Sequence, residues 1–334
     1  MAQELTRRDF LKLGSAAVLA YGFRDYPPLG SFFPSRSPTF NMGRTVYSIR
    51  YYNRPSFGAS ETGYYITDSV VNILEETIGD PGNTKNPMWL RTDEGWVHGA
   101  YVQPVKNELN TPVLEIPAKG LLLEVTVPFT QSYHDNKGSW KRGYRFYYKS
   151  THWAHQVFTG VNGIVWYKLL DDRNGGYYFA EAQHLRPIQP EELTPISPGV
   201  PDKRIEVDLT RQYVTAYEGN RPVFVTRTAT GYFEGDTPIG DFKIERKNPS
   251  RHMATEAGGD PFDLPGVPWV SYISWTGVSL HGTYWHNNYG VPQSHGCINL
   301  KPEAALWIYR WSDPIVPTEE DYVESDQGTK VTVH

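Results

Sequence analysis

The chain has 334 residues, 39% of them apolar and 14% aromatic, with 32 basic against 37 acidic side chains and a formal net charge of −5. That length suggests two or three domains, and the interspersed charges form no basic stripe of the kind that binds nucleic acid. No run reaches the roughly 18 to 20 consecutive apolar residues of a membrane-spanning helix.

The N-terminal stretch "LTRRDFLKLGSAAVLAYGF" pairs Arg7 with Arg8, follows with Phe10, Leu11 and Lys12, and continues into a short, weakly apolar run. It resembles a twin-arginine signal, read by an export receptor rather than used in folding. The resemblance implies export to the cell envelope, as cell wall or periplasm, with no stable membrane span unless the signal is retained. Residues 22–44 are rich in Pro, Ser and Gly and read as a linker, so 1–44 are assigned to signal and linker. Exported proteins usually carry cysteines in even numbers as disulfides. This chain has one, Cys297, which is therefore either buried or needed.

A weak internal repeat follows. "WLRTDEGWVHGAYVQPV" (89–105) and "WYKLLDDRNGGYYFAEAQHLRPI" (166–188) each open on Trp, turn at Asp plus Gly, and end on an apolar-x-Pro-apolar pattern. The turn chemistry predicts hairpins, and the aromatic residues suit half-buried strands or stacking on carbohydrate. Both copies resemble the last strands of a bacterial SH3-like barrel. Residues 45–105 and 106–190 are thus expected to form two small SH3-like modules, either wall-binding units or spacers. Residues 191–202 are proline-rich and predict a stiff, extended connection.

The final domain spans 203–333. Alternation through Ile205, Val207 and Leu209 and then Val214 and Ala216, broken at Glu218-Gly219-Asn220, predicts a hairpin, with a further strand over 223–228. "GDTPIGDFKI" (235–244) reads as a loop entering a strand, 247–268 as a loop rich in Gly, Pro and Asp, and 269–282 as two strands around Thr276-Gly277. "KPEAALWIYRWS" (301–312) is the best helix candidate, with Pro302 in the first turn. Residues 328–333 read as a closing strand. The fold class is mainly β with one main helix.

"HGTYWHNNYGVPQSHGCINL" (281–300) concentrates the chemistry. Its cysteine admits three readings: a metal ligand, a nucleophile with its base, or an inert buried thiol. His281, His286, His295 and Cys297 are legitimate zinc ligands, but their spacing matches no helix-borne pair and no carboxylate stands nearby to orient them. A nucleophile needs the thiolate, hence a base or cation close to a thiol whose ordinary pKa is about 8.5. The Gly290–Pro292 turn region brings the chain back, and two antiparallel segments joined by such a loop would set Cys297 opposite His281. The carbonyl of Gly282 would hold the second ring nitrogen of His281. Gly296 permits a tight turn whose amide, with that of Cys297, would face a carbonyl oxygen as an oxyanion hole. Papain-like enzymes place Cys before His, the reverse of this order. Sortases keep His first but space the pair much farther apart.

With those residues, 203–333 resemble an L,D-transpeptidase catalytic domain of the YkuD type. The family's His-Gly and Ser-His-Gly-Cys-apolar-Arg/Asn elements are matched by His281-Gly282 and by Ser294, His295, Gly296, Cys297, Ile298 and Asn299. Its upstream elements are matched by Thr230-Gly231 and Thr237-Pro238-Ile239-Gly240-Asp241-Phe242. The segment 314–327 has no counterpart and reads as an insertion. The resemblance implies a β-sandwich and a cysteine acyltransferase that needs no cofactor or metal. Cys297 would be the nucleophile and His281 the base, with His295 near the oxyanion or the donor. Ser294, Asn299 and Trp285 would line the substrate site. Peptidoglycan stem peptides would be the partners: a tetrapeptide stem loses D-Ala and an amine accepts the acyl group, giving 3–3 cross-links or protein attachment. Two alternatives are an L,D-carboxypeptidase that uses water and a non-catalytic wall-binding protein.

Overall fold

A computed structural model describes residues 38–255 and 262–334. The twin-arginine-like segment and most of the 22–44 linker lie outside the described residues. The first strand begins at Met42, three residues ahead of the expected module boundary: β1 (Met42–Thr45), β2 (Ile49–Tyr52), β3 (Glu61–Tyr65), β4 (Val70–Asn72), β5 (Glu75–Ile78), β6 (Met88–Arg91), β7 (Trp96–His98) and β8 (Val102–Pro104). They form a three-stranded sheet, β4-β1-β8, and a five-stranded one, β3-β2-β7-β6-β5. Ile49, Val71, Ile73, Leu90, Val97 and Val102 fill the space between them.

The next seven strands make a single sheet in the order β11-β10-β14-β13-β12-β9-β15. They are β9 (Leu121–Val125), β10 (Phe129–Asn136), β11 (Ser139–Tyr147), β12 (Thr151–Thr159), β13 (Val165–Leu170), β14 (Tyr177–Glu181) and β15 (Leu185–Pro187). The sheet ends at β11 and β15 and does not close. The internal repeat is a repeat of element order. β6, β7, a 3-10 turn (Gly99–Tyr101) and β8 correspond to β13, β14, a 3-10 turn (Ala182–His184) and β15.

The proline-rich connection is not a free spacer. It contains a 3-10 turn over Pro190–Leu193, fixed by a capping box between Gln189 and Glu192, and Ile196 N donates to Arg310 O at 3.0 Å. Beyond it stand β16 (Lys203–Asp208), β17 (Tyr213–Glu218), β18 (Arg221–Arg227), β19 (Gly240–Lys243), β20 (Arg246–Ala254), β21 (Asp263–Tyr272), β22 (Ser279–Gly282), β23 (Ile298–Leu300), the helix Pro302–Trp311, β24 (Val323–Glu324) and β25 (Lys330–Val333). Two five-stranded sheets result, β18-β17-β16-β25-β19 and β23-β22-β21-β20-β24.

The alternation read in 203–217 works as period-two patterning should: Ile205, Val207, Val214 and Ala216 are fully buried. They meet Leu280, Ile298 and Leu300 from the second sheet and Ala305 and Ile308 from the helix. The same cluster takes in Leu122, Trp153 and Ile188 from the preceding sheet. Burying a side chain of that size contributes about 1.5–3 kcal/mol. The catalytic-type domain and the second module therefore share one core and hold each other in place.

One expectation for this domain needs correction. Residues 247–268 are not a loop. β20 and β21 pair antiparallel from Arg246↔Tyr272 out to Ala254↔Asp263, and of the predicted loop only the interior 256–261 lies outside the described residues. The polar composition misleads because these strands bury polar groups against neighbours rather than facing water. Thr151 Oγ1 donates to Pro249 O at 2.8 Å and Ser250 Oγ to Thr151 O at 2.5 Å. Lys247 Nζ, fully buried, donates to the carbonyls of Tyr309, Ser312 and Pro314 at 2.6, 2.7 and 2.8 Å, closing the helix C-terminus. Within the 314–327 segment, β24 adds a short edge strand, pairing with β20 through Val323 and Glu324.

Candidate active site

β22 and β23 lie side by side and parallel, with Leu280↔Ile298, His281↔Asn299 and Gly282↔Leu300 in register. The antiparallel arrangement expected from the loop is therefore wrong. The chain leaves the end of β22, crosses over, and re-enters beside its start. A parallel pair requires such a long crossover. Cys297, just ahead of β23, thereby comes level with Ser279 as well as near His281. Ser279 and His281 are two apart on one strand and share a face, while Leu280 between them points into the core.

Cys297 is half-buried and His281 is buried. The neighbouring His281 ring acts on the thiol electrostatically. Ser279 Oγ lies 3.6 Å from Sγ, and the Gly277 carbonyl lies 3.7 Å from it. Burial pushes the thiol up, but the His281 ring, its positive charge when protonated and the Ser279 hydroxyl outweigh burial, leaving it below the ordinary thiol value. His281 Nδ1 lies 3.1 Å from the Gly282 carbonyl, which can only accept. Nδ1 therefore carries a proton, and Nε2 is the nitrogen left for sulfur. Gly282 sits under tight packing: a Cβ there would lie 2.7 Å from Pro268 Cγ and 3.1 Å from Pro302 Cα.

The turn before the cysteine is tied at several points. Ser294 Oγ donates to Cys297 O at 2.6 Å and accepts from Gly296 N at 3.1 Å. Thr237 Oγ1 donates to Gly296 O at 2.7 Å and accepts from Gly231 N at 2.8 Å. The Gln212 side chain holds Thr230 at both its amide and its hydroxyl. The Thr-Gly and Thr-Pro motifs of the sequence thus act as scaffold for the cysteine turn. Gly296 adopts φ +131°, and a Cβ there would meet Asp236 O at 2.6 Å, so glycine is required.

Three sequence assignments change. The Gly296 amide is taken by Ser294 Oγ, a short-range side-chain to backbone bond, and does not face an oxyanion; the Cys297 amide is the remaining candidate donor. Ser294 is buried and its hydroxyl is spent on the turn, so it does not line a substrate site. Asn299 is also buried, and its side chain meets His286 Nε2 at 2.9 Å instead of solvent.

His286 accepts from Asn288 N at 3.3 Å, and burial with the charge of His281 drives its pKa down to about 3. It is therefore a neutral link between the crossover and β23. His295 is exposed, with its ring 5.4 Å from that of Phe262. Trp285 is half-buried and its ring centroid lies 5.6 Å from that of His281. It also lines a groove of about 290 Å³ with Tyr144, Tyr147, Asp263 and Tyr284. Sequence reasoning missed Ser279, although its spacing of two from His281 on a predicted strand was the available signal. Among the described residues, no group of three or more His, Cys, Asp or Glu side chains is placed to hold a metal ion.

A thiol held below its ordinary pKa beside an imidazole whose far nitrogen is anchored defines a site for covalent catalysis by a cysteine–histidine pair. Residues 202–333 match the family model of the L,D-transpeptidase catalytic domain, YkuD, and form a domain of that type. The chain is 34% identical over 80 residues to L,D-transpeptidase 1 of Mycobacterium tuberculosis, a match covering 22% of this chain and 32% of that protein. It thus spans about a third of the length of the curated relatives it matches. Similar solved structures include the catalytic domain of an E. faecium L,D-transpeptidase, at 28% identity, TM-score 0.31, and 40% and 97% of the respective chains. Another is an L,D-transpeptidase from Mycobacterium smegmatis, at 17% identity, TM-score 0.33, and 51% and 90% of the chains.

Proposed function

We propose that the protein is a peptidoglycan L,D-transpeptidase. The carrying observation is the Cys297 thiol brought beside His281 by the parallel β22–β23 register, with His281 Nδ1 fixed by the Gly282 carbonyl, inside the domain matched by the family model. The thiolate attacks the carbonyl carbon of the third residue of a tetrapeptide stem, and the developing oxyanion is met by the Cys297 amide. The C–N bond to D-Ala breaks as the His281 imidazolium gives its proton to the leaving amine, leaving a thioester. An acceptor amine then attacks, His281 takes its proton, and the thiolate departs as the new amide forms. The thioester keeps the free energy of the original amide, so no external energy source is needed. Trp285, its ring centroid 5.6 Å from that of His281, would limit water at the pair once substrate is bound, which favours transfer over hydrolysis.

The experiment is product analysis on a purified tetrapeptide stem with and without an acceptor amine. Cross-linked product should dominate when acceptor is present. Tripeptide alone, in both conditions, would replace this reading with L,D-carboxypeptidase activity. The twin-arginine-like segment supports export to the cell envelope, and replacing Arg7 and Arg8 with Lys should leave the protein in the cytoplasm. The repeated strand-strand-turn-strand order supports an SH3-like reading of 45–105 and 106–190, with wall binding as their role. Sedimentation of the full chain with insoluble peptidoglycan, compared with a variant lacking exposed aromatics such as Tyr64, tests it.

A further inference from the structure

The crossover between His281 and Cys297 is gripped by the N-terminal part of the chain. Asn287 Nδ2 donates to Gly99 O at 3.0 Å and to Val102 O at 2.9 Å, and Asn287 N donates to Ala100 O at 3.2 Å. These acceptors are the 3-10 turn and the strand that close the first module. A second grip lies three residues earlier. Arg44, on β1 and buried, donates from Nη2 to Tyr284 O at 2.6 Å. Its other donors hold Gln103 Oε1 at 2.8 and 3.1 Å and Asp68 Oδ1 at 2.6 Å. The Arg44 guanidinium also lies 4.1 Å from the ring centroid of Tyr147, which stacks on Tyr284 at 5.5 Å.

Both grips end next to the reacting pair. Tyr284 precedes Trp285, whose ring lies against His281. Asn287 follows His286, whose ring holds Asn299, the β23 partner of His281 in the parallel register. A crossover closed only by its own domain would be free to move Trp285 and the head of β23, because loops anchored at their ends alone open locally at little cost. Here three hydrogen bonds from Asn287 and one from Arg44 tie its middle to another module.

We infer that the first module is a working part of the active site, with Arg44 and Asn287 as positioning residues that hold the crossover so that His281 and Cys297 stay paired. This rests on the proposed cysteine–histidine mechanism. The modules are then neither detachable spacers nor wall anchors alone. Removing them strips the crossover of its acceptors and opens the core shared through Leu122, Trp153 and Ile188.

The test uses the full chain and exploits its single cysteine. The rate of alkylation by iodoacetamide against pH reports the thiol and its imidazole partner without any peptidoglycan substrate. The variants are Asn287→Ala, which removes both side-chain donors, and Arg44→Lys, which keeps a charge opposite Asp68 but loses the fork. Lys85→Ala, exposed on the same module, is the control. Asn287→Ala is expected to move the alkylation profile up by about one pH unit, so alkylation near pH 7 slows about tenfold. It should lower kcat about tenfold to a hundredfold with KM within about twofold, the pattern of a misplaced nucleophile. Arg44→Lys should shift the profile the same way, and Lys85→Ala should match wild type. If Asn287→Ala fails to fold, the Arg44→Lys profile decides. An unchanged pH profile in a folded variant, even with a lower Tm, overturns the inference and reduces these contacts to stability. Should the wild-type profile itself show an ordinary thiol that ignores His281→Ala, the mechanism fails instead, and the two failures are told apart.

Discussion

Replacing His252 with Leu probes the joint between the second module and the β20–β21 hairpin. His252 Nδ1 lies 2.6 Å from Asp171 Oδ1 and Nε2 lies 2.6 Å from Asp263 Oδ1. Ionised carboxylates only accept, so both ring nitrogens carry protons and the ring is an imidazolium. Burial works against that charge, but the two bonds and the two negative charges outweigh it and raise the pKa above the ordinary histidine value. Asp171 is held low in return, its burial offset chiefly by the His252 bond. The His252 and Asp171 side chains are 3% and 1% exposed, whereas Asp263 is 45% exposed. Removing the histidine therefore leaves the buried Asp171 carboxylate with the Arg173 amide but without its cation, which costs about 3 kcal/mol, while the exposed Asp263 arm adds less than about 1 kcal/mol. Over a cooperative unit of this size that corresponds to a Tm lowered by roughly 6–12 °C.

The pH dependence has a definite sign. A raised folded-state pKa gives stability that is fully present below the unfolded value of about 6.5 and lost as pH rises through the folded value. The gap between wild type and His252→Leu, followed by circular dichroism, should be large at pH 6 and shrink by pH 9. A gap that is constant or widens with pH would refute the imidazolium bridge.

The remaining predictions concern the site. His281→Ala should lower D-Ala release by about 10²- to 10⁴-fold; it should also raise the Cys297 alkylation pKa, because burial then acts without its main opposing partner. Ser279→Ala should shift that alkylation profile in the same direction by less than His281→Ala does, since only one of the interactions that lower the thiol is lost. Gly296→Ala should keep the fold by circular dichroism while slowing acylation tenfold or more, because the φ of +131° costs a side chain about 1–3 kcal/mol and the Cβ meets Asp236 O.

Much of the catalytic-type domain was legible because its signals are local. Period-two alternation around Ile205 and Val214, the Pro302 helix start and the His-Gly and Ser-His-Gly-Cys runs all act within a few residues of themselves. What was not legible depends on partners far away in sequence. The parallel pairing of β22 with β23 is set by where the crossover docks, and the docking surface lies near Gly99 and Arg44. The 247–268 hairpin looks like a loop because Lys247, Ser250 and His252 satisfy their polar groups against the helix end and the second module. Ser294, read as a substrate contact from its motif, serves the turn, because a hydroxyl two residues before a positive-φ glycine finds that amide first.

The most direct test of the cysteine–histidine mechanism is intact-mass spectrometry of the full chain mixed with a tetrapeptide stem, beside Cys297→Ser. The wild type should gain one acyl group, mapped to Cys297, with one equivalent of D-Ala released from the stem, and the variant should gain none and release none. Continued D-Ala release by Cys297→Ser, or an acyl group mapped to any other residue, would contradict it.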